Sequence, residues 1–449
     1  MTDKNEKTNE INEIDEFDIN TEIANKYEEA LYDFNIIQKL FSNQMNLIKE
    51  TADEIIPSML EKDRQMKEKV EKLIINLNEE LKKSDDDIMD LIKDFLKQIK
   101  NTRIRKSSDV IIKSLFLNIF SEFDSFLNNL LKHIFLSKPD LIKASQKKFS
   151  LHEIMEHKTI EEFKNQVIDK EIDSLIRKSY IEQFNQYEKK FGVNTLKKFK
   201  NWGKFVEITQ RRNIIMHCNG KVTSQYFQHC DSHSCLPDGI EMNDKLDLEY
   251  SYLIEAIRIV NEVGNKLLHV LWRKQFPEEI DEANVNLQSY LYDLLLFENY
   301  ELARVMGEFA CNLKKYPDKI DEYLVVINYS IALKHLGHND KLVEIINKYD
   351  WTSVKNEFQL AKHILLDETD EIKDLIIRIG KGSDILKKDS YLEFPIFDFI
   401  NDEQYFKEAF FEVFNTEYEK ELLEKEILEK DISKNEVVEE EIINEIVKS

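Results

Sequence analysis

The sequence predicts an all-α fold, on three observations. Glycine and proline are scarce, 9 and 6 in 449 residues, about 3% against roughly 12% in ordinary proteins. So few chain breakers leave little room for the many turns of a β-sandwich or barrel, or for Gly-rich phosphate loops. Charged residues make up 33% of the chain, well above the usual quarter, which suits long helices with solvated faces. Apolar residues recur at spacings of three and four through most of the chain, the period of one helix face. Hydrophobic residues reach 42%, enough for real cores and too much for a wholly disordered chain.

Taken in order, residues 1–20 are polar and acidic, without the apolar segment of a secretory signal, and are expected to be disordered. Residues 21–100 read as a helical arm, possibly a coiled coil. Leu31, Phe34, Ile37 and Leu40 form its first apolar stripe, and Pro57 is expected to end that helix and let a second follow. Ser84, with Asp85, Asp86 and Asp87, caps a third helix over Ile88–Ile99.

Residues 101–276 predict a four-helix bundle. Its first helix carries a wide apolar stripe from Ile112 through Phe116, Phe120, Phe123 and Leu127 to Phe135. The second spans Glu171–Phe191 and stops at Gly192; the third runs from Leu196 to Met216; the fourth runs from Leu246 to Trp272 and ends before Pro277. Residues 280–415 read as helix pairs around FENYELA (297–303), LGHNDKL (336–342), LDETDEI (366–372) and INDEQYF (400–406). Their last residues, Ala303, Leu342, Ile372 and Phe406, are separated by steps of 39, 30 and 34. The mean is near the tetratricopeptide (TPR) period, so a TPR-like α-solenoid that binds a protein partner is expected. Residues 416–449 form an acidic tail. No stretch is apolar for long enough to predict a membrane helix. Four cysteines in 449 residues make no disulfide framework. A cytoplasmic protein with reduced thiols is expected.

The net charge of -24 hides a segregation. Residues 101–275 hold 28 Lys and Arg against 22 Asp and Glu. From Lys189 to Lys221 there are nine bases and a single acid, Glu207. That stretch fits a phosphate backbone, with Lys197, Lys198, Lys200, Lys204, Arg211 and Lys221 as candidate RNA contacts. Trp202 and Phe205 lie among them, either as stacking platforms for bases or as core residues.

Within this stretch Arg212-Asn213-Ile214-Ile215-Met216-His217 brings together a cation, an amide and an imidazole. Asn213 and His217 are four apart and share a helix face. Imidazole moves a proton near neutral pH, guanidinium holds a phosphate, and the amide orients either partner. With the 2′-hydroxyl of RNA as the attacking group, the products would be a 2′,3′-cyclic phosphate and a 5′-hydroxyl end. This chemistry needs no metal or cofactor, and DNA lacks the nucleophile.

Arg, four to six residues, then His, within a four-helix bundle, resembles the signature of HEPN ribonucleases. Arg212, Asn213 and His217 fill the form with Asn directly after Arg, and Arg211 also meets the spacing. FSEFDSFLNNLLKHIF (120–135) is similar to the family's first helix. IRKSYIEQFNQYEKKFGV (176–193) and HCNGKVTSQYF (217–227) resemble segments of RiboL-PSP-type HEPN proteins. The resemblance covers about 175 of 449 residues. It implies a metal-independent endoribonuclease acting through Arg212, Asn213 and His217. It also implies a homodimer whose two motifs face each other, and a regulated toxin or antiphage effector. Where some family toxins carry a modified Tyr two residues after the His, this chain has Asn219. The alternative is a non-catalytic HEPN dimerisation scaffold whose repeats recruit a client.

Cys218, His229, Cys230, His233 and Cys235 lie close in sequence, but their spacing does not match paired zinc knuckles. No metal site is expected there. The phosphate-loop, H-E-x-x-H and G-x-S-x-G motifs do not occur.

Overall fold

The computed structural model describes residues 33–81, 107–143, 149–313, 316, 318–423 and 425. The expected disordered N-terminus, Leu31, the helix over Ile88–Ile99 and the acidic tail from residue 426 lie outside them. The described chain is all-α and divides into two compact units, residues 1–280 and 281–449. Among the described residues there is no β-strand, only one isolated antiparallel bridge, Lys221 to Lys245. None of the described helices is long and apolar enough to cross a membrane.

The first unit contains α1 (Phe34–Leu81), α2 (Ser107–Ser137), α3 (Asp140–Lys143), α4 (Leu151–Met155), α5 (Ile160–Ile176), α6 (Tyr180–Phe191), α7 (Trp202–Cys218), α8 (Ser224–Ser232) and α9 (Tyr250–Gln275). Helix α1 is continuous through Pro57, against the expected break. The buried stripe Phe34, Ile37, Phe41, Met45, Ile48, Ala52 and Ile56 runs up to it unbroken, while Pro57 faces solvent. Water can satisfy the carbonyl that proline leaves unbonded there, and burial on the opposite face offsets the cost. Leu40, expected in the stripe, is exposed, and Phe41 takes the buried position.

Helix α1 packs on α2 and α9 of the same compact unit. Phe34 stacks on Trp272 at 4.5 Å, and Phe41 on Phe126 at 4.3 Å. Gln38 Nε2 donates to Asn265 Oδ1 at 3.2 Å, and Ser108 Oγ to Asp63 at 2.6 Å. The closest approach is at Gly264 of α9, where a Cβ would lie 2.4 Å from the Phe41 ring.

The expected second bundle helix is two helices. Ser179 caps α6 with a reciprocal Ser179–Glu182 box, and Gln183 Nε2 donates at 2.9 Å to the carbonyls of Ile176 and Lys178 at the end of α5. Helix α6 does stop at Gly192, at φ 64°. The third helix begins at Trp202 rather than Leu196, because residues 192–201 form a turn anchored by buried Leu196.

The second unit follows α10 (Ile280–Leu296) with α11 (Tyr300–Cys311), α12 (Lys319–His335), α13 (Asn339–Ile346), α14 (Asn356–Leu365), α15 (Ile372–Ile379), α16 (Ser390–Glu393) and α17 (Gln404–Phe414). Three of its inter-helix turns share one geometry. Glu298, Gly337 and Asp367 have φ of 52°, 71° and 58°. The next amide in each, of Asn299, His338 and Glu368, donates back five residues to Leu294, Leu333 and His363. This is one helix stop used three times, twice without glycine. Ala303, Leu342, Ile372 and Phe406 are all buried in one core. The fourth turn departs from the pattern, with Ile400 at φ -137°.

Two outcomes are expected. Gly264→Ala should destabilise the protein by about 1–3 kcal/mol in urea unfolding, because the stacked Phe41 ring cannot swing aside. The second concerns His269, where burial, with the Arg273 charge adding to it, pushes the imidazole down to about 3. Unfolded, it titrates near its ordinary value of about 6.5. The native state then binds fewer protons than the unfolded state between these values. This histidine's contribution is complete above about pH 6.5 and is lost as pH falls toward 3. Between pH 7 and 4.5, His269→Gln should lose roughly 2–3 kcal/mol less stability than wild type.

Candidate functional site

The candidate motif lies on α7, and both ends of that helix are fixed from outside it. At its start, Asn201 Nδ2 donates to Glu262 of α9 at 2.7 Å. At its end, Asn219 and Gly220 turn the chain with φ of 51° and 78°. A Cβ on Gly220 would meet the Leu246 carbonyl oxygen at 2.8 Å, so a side chain is excluded there by space as well as by φ. The Leu246 amide donates back to Gly220 at 2.9 Å, and Val222 donates to Asp244 at 2.8 Å. Ile214, Val222, Tyr226, Cys230 and Leu246 close a small core beneath this turn.

In the first half of α7 is a buried carboxylate, Glu207. It accepts from Arg211 Nε at 2.8 Å, from the Tyr226 hydroxyl at 2.6 Å and from the Tyr252 hydroxyl at 2.6 Å. Burial, then the Glu207 charge, push both phenols up, so both remain donors. The Arg211 guanidinium also lies 4.1 Å from the Tyr252 ring centre. Arg211 therefore does not belong to a solvent-facing RNA-binding surface, contrary to the sequence expectation. The lone acid of the basic stretch neutralises it in the interior.

Arg212, the next residue, faces α2 and α6 instead. Its guanidinium lies 5.9 Å from the Phe120 ring, and its Nη1 donates to Asn213 Oδ1 at 3.2 Å. Its Nε is buried without a hydrogen-bond partner. Before it stands a pair that sequence reasoning missed. The Tyr180 hydroxyl donates to Asp124 Oδ1 at 2.7 Å. Burial pushes the Asp124 carboxyl up, while the Tyr180 hydrogen bond and the Arg212 charge act in the opposite direction. The one sequence signal was an acid inside the apolar run of α2. His217, in the last turn of α7, is exposed, as is Met216 beside it. The structure thus brings Arg212 and Asn213 together and leaves the imidazole open to solvent about one turn further on.

The candidate RNA-binding lysines do not surround this point. Lys197, Lys198 and Lys200 precede α7, and Lys204 lies in its first turn. At 1.5 Å per residue, Lys204 is about 20 Å along the helix from His217. Only Lys221 shares the His217 end. Lys197 pairs with Glu188 at 3.0 Å, and Lys204 pairs with Glu255. The Lys204 pair faces solvent, and such pairs are worth up to about 1 kcal/mol. Lys198, Lys200 and Lys221 are exposed. Trp202 and Phe205 are buried against Phe184 and are core residues, not platforms for bases.

Among the described residues no three His, Cys, Asp or Glu side chains gather as a metal site. Cys230 is buried, and His233 Nδ1 lies 2.9 Å from the His229 carbonyl. The second unit holds a separate cavity of about 310 Å³. Leu324, Ile327 and Ile331 of α12, Ala361 and Ile364 of α14, and Phe394 contribute to its largely apolar wall.

No family model matches this chain, and no curated protein or solved structure matches it.

Glu207→Ala should cost about 3–5 kcal/mol in denaturant unfolding, because it strands the buried Arg211 charge. Lys204→Ala should change stability by no more than about 1 kcal/mol. Comparable losses in the two variants would contradict the assignment of Glu207 as an interior anchor.

Proposed function

We propose that the chain is a metal-independent endoribonuclease of HEPN type. The observation that carries this reading is the placement of Arg212 and His217 on one helix, α7, about one turn apart. The first has a buried Nε with no partner, and the second has an exposed ring in the last helical turn. A guanidinium suits a phosphate oxyanion, and an open imidazole can reach a substrate proton. Arg212 would hold the scissile phosphate, His217 would move the proton of the 2′-hydroxyl or of the leaving oxygen, and Asn213 would orient one of them. Arg212 fits the role better than Arg211, which Glu207 already occupies. One Arg–His pair leaves the second proton transfer unassigned. A homodimer that set two copies of the motif face to face would supply it.

The repeated turns and the apolar cavity of the second unit support a TPR-like array that binds a protein partner. A nuclease joined to such an array suits a toxin or antiphage effector held in check until its partner signals, with RNA as its substrate. A specific observation favours the alternative of a non-catalytic dimerisation scaffold. Most of the lysines lie at the far end of α7 from His217, and Arg212 already faces Asp124 and Tyr180.

The test is cleavage of total RNA and tRNA by purified protein in EDTA, with end-group analysis. Wild type should give 2′,3′-cyclic phosphate ends, and His217→Ala should lower the rate by about 10²–10⁴-fold. Arg212→Ala should also be impaired, and DNA should remain intact. Equal cleavage by wild type and His217→Ala would refute the assignment. Dimers that bind a client, with no turnover in either protein, would favour the scaffold.

A further inference from the structure

Beyond any nuclease activity, we propose that Cys230 and Cys235 form a reactive dithiol, a modification site that peroxides convert to an intramolecular disulfide. The geometry is already that of a closed ring. Helix α8 ends at Ser232, and Ser234, at φ 52°, turns the chain back on itself. The Cys235 amide donates to the Cys230 carbonyl at 2.8 Å, and Cys235 Sγ lies 3.3 Å from the same oxygen. Both side chains pack in the same small core, and each thiol shifts the acidity of the other.

The two sulfurs have different roles. Cys235 is half-buried and Cys230 fully buried. The hydrogen bond from Cys230 holds the Cys235 thiol below its usual range, while that same bond, and then burial, push Cys230 up. Cys235, the more exposed of the two, is the sulfur that a peroxide reaches and the one that attacks. Its thiolate displaces hydroxide from hydrogen peroxide and becomes a sulfenic acid. The Cys230 thiol then attacks that sulfur, an S–S bond forms, and water leaves. In sum, two thiols and one hydrogen peroxide give one disulfide and two waters.

The ring packs with Ile214 and Cys218 of α7, in the small core under the turn after His217. Cys311 lies in the other unit, half-buried, with its thiol pushed up to about 12 by burial. It serves as the internal control.

The test uses the full-length reduced protein, with hydrogen peroxide as the probe. After thiol blocking and trypsin digestion, residues 222–245 form one peptide containing both Cys230 and Cys235, while Cys218 falls in residues 213–221. The expected product is the 222–245 peptide lighter by two hydrogens and restored by dithiothreitol. It should form at least about tenfold faster than any oxidation at Cys311. Cys230→Ala should stop at a sulfenic acid on Cys235, trapped by dimedone. A cross-link between the 213–221 and 222–245 peptides would overturn the pairing. Oxidation of Cys311 as fast as Cys235, or no disulfide in wild type, would overturn the proposal. The wild-type measurement decides the matter even if the Cys230 variant fails to fold.

Discussion

The first unit depends on how Glu207 is satisfied. A carboxylate in an interior is costly unless it is paired and hydrogen-bonded. Here one base and two phenols, drawn from α7, α8 and α9, converge on it. That requirement fixes more than a contact. It sets the rotation of α7 about its axis, because Glu207 and Arg211, one turn apart, must both face inward. With that face committed, the residue after Arg211 is turned by about 100° toward α2 and α6. Two consecutive arginines thus acquire opposite fates, one in the interior and one beside Asp124 and Tyr180.

The same rotation determines what the end of α7 can offer. Ile214 goes into the small core with Val222, Tyr226 and Leu246, and His217 is left facing solvent. Gly220 and the Leu246 carbonyl hold the exit turn, so the last helical turn does not rest on helix propensity alone. Elsewhere in the unit, Phe41 against Gly264 brings α1 close to α9. The side chain missing at Gly264 is what permits the aromatic stack on Phe126.

Much of this was legible in the sequence. The all-α class followed from scarce breakers and long helical periodicity. The α2 stripe and the stop at Gly192 were written in residue spacing. What was not legible depended on three-dimensional pairing. Pro57 reads as a break only until its solvent-facing position is known. Lys197 to Lys221 are continuous as text, yet a helix of 17 residues separates the early lysines from Lys221. Trp202, Phe205 and Arg211 look like nucleic-acid contacts until the partners that bury them are visible. Asp124 and Tyr180 come from two other helices, and no spacing rule links them to Arg212.

The lone acid in a basic stretch is the most instructive of these signals. Averaged over Lys189–Lys221, Glu207 merely lowers the positive charge by one. Physically it is the residue that the interior cannot do without. A single acid among many bases has no surface role that one fewer base would not fill equally well. Its presence argues for a buried partner, and the base four residues away on the same helix face is the natural choice. That reasoning selects Arg211 for the interior and leaves Arg212 as the arginine with a buried Nε still unpartnered. Averaged over the stretch, the charge reads as one positive surface. Residue by residue, it divides into an interior pair, Glu207 with Arg211, and lysines at both ends of α7.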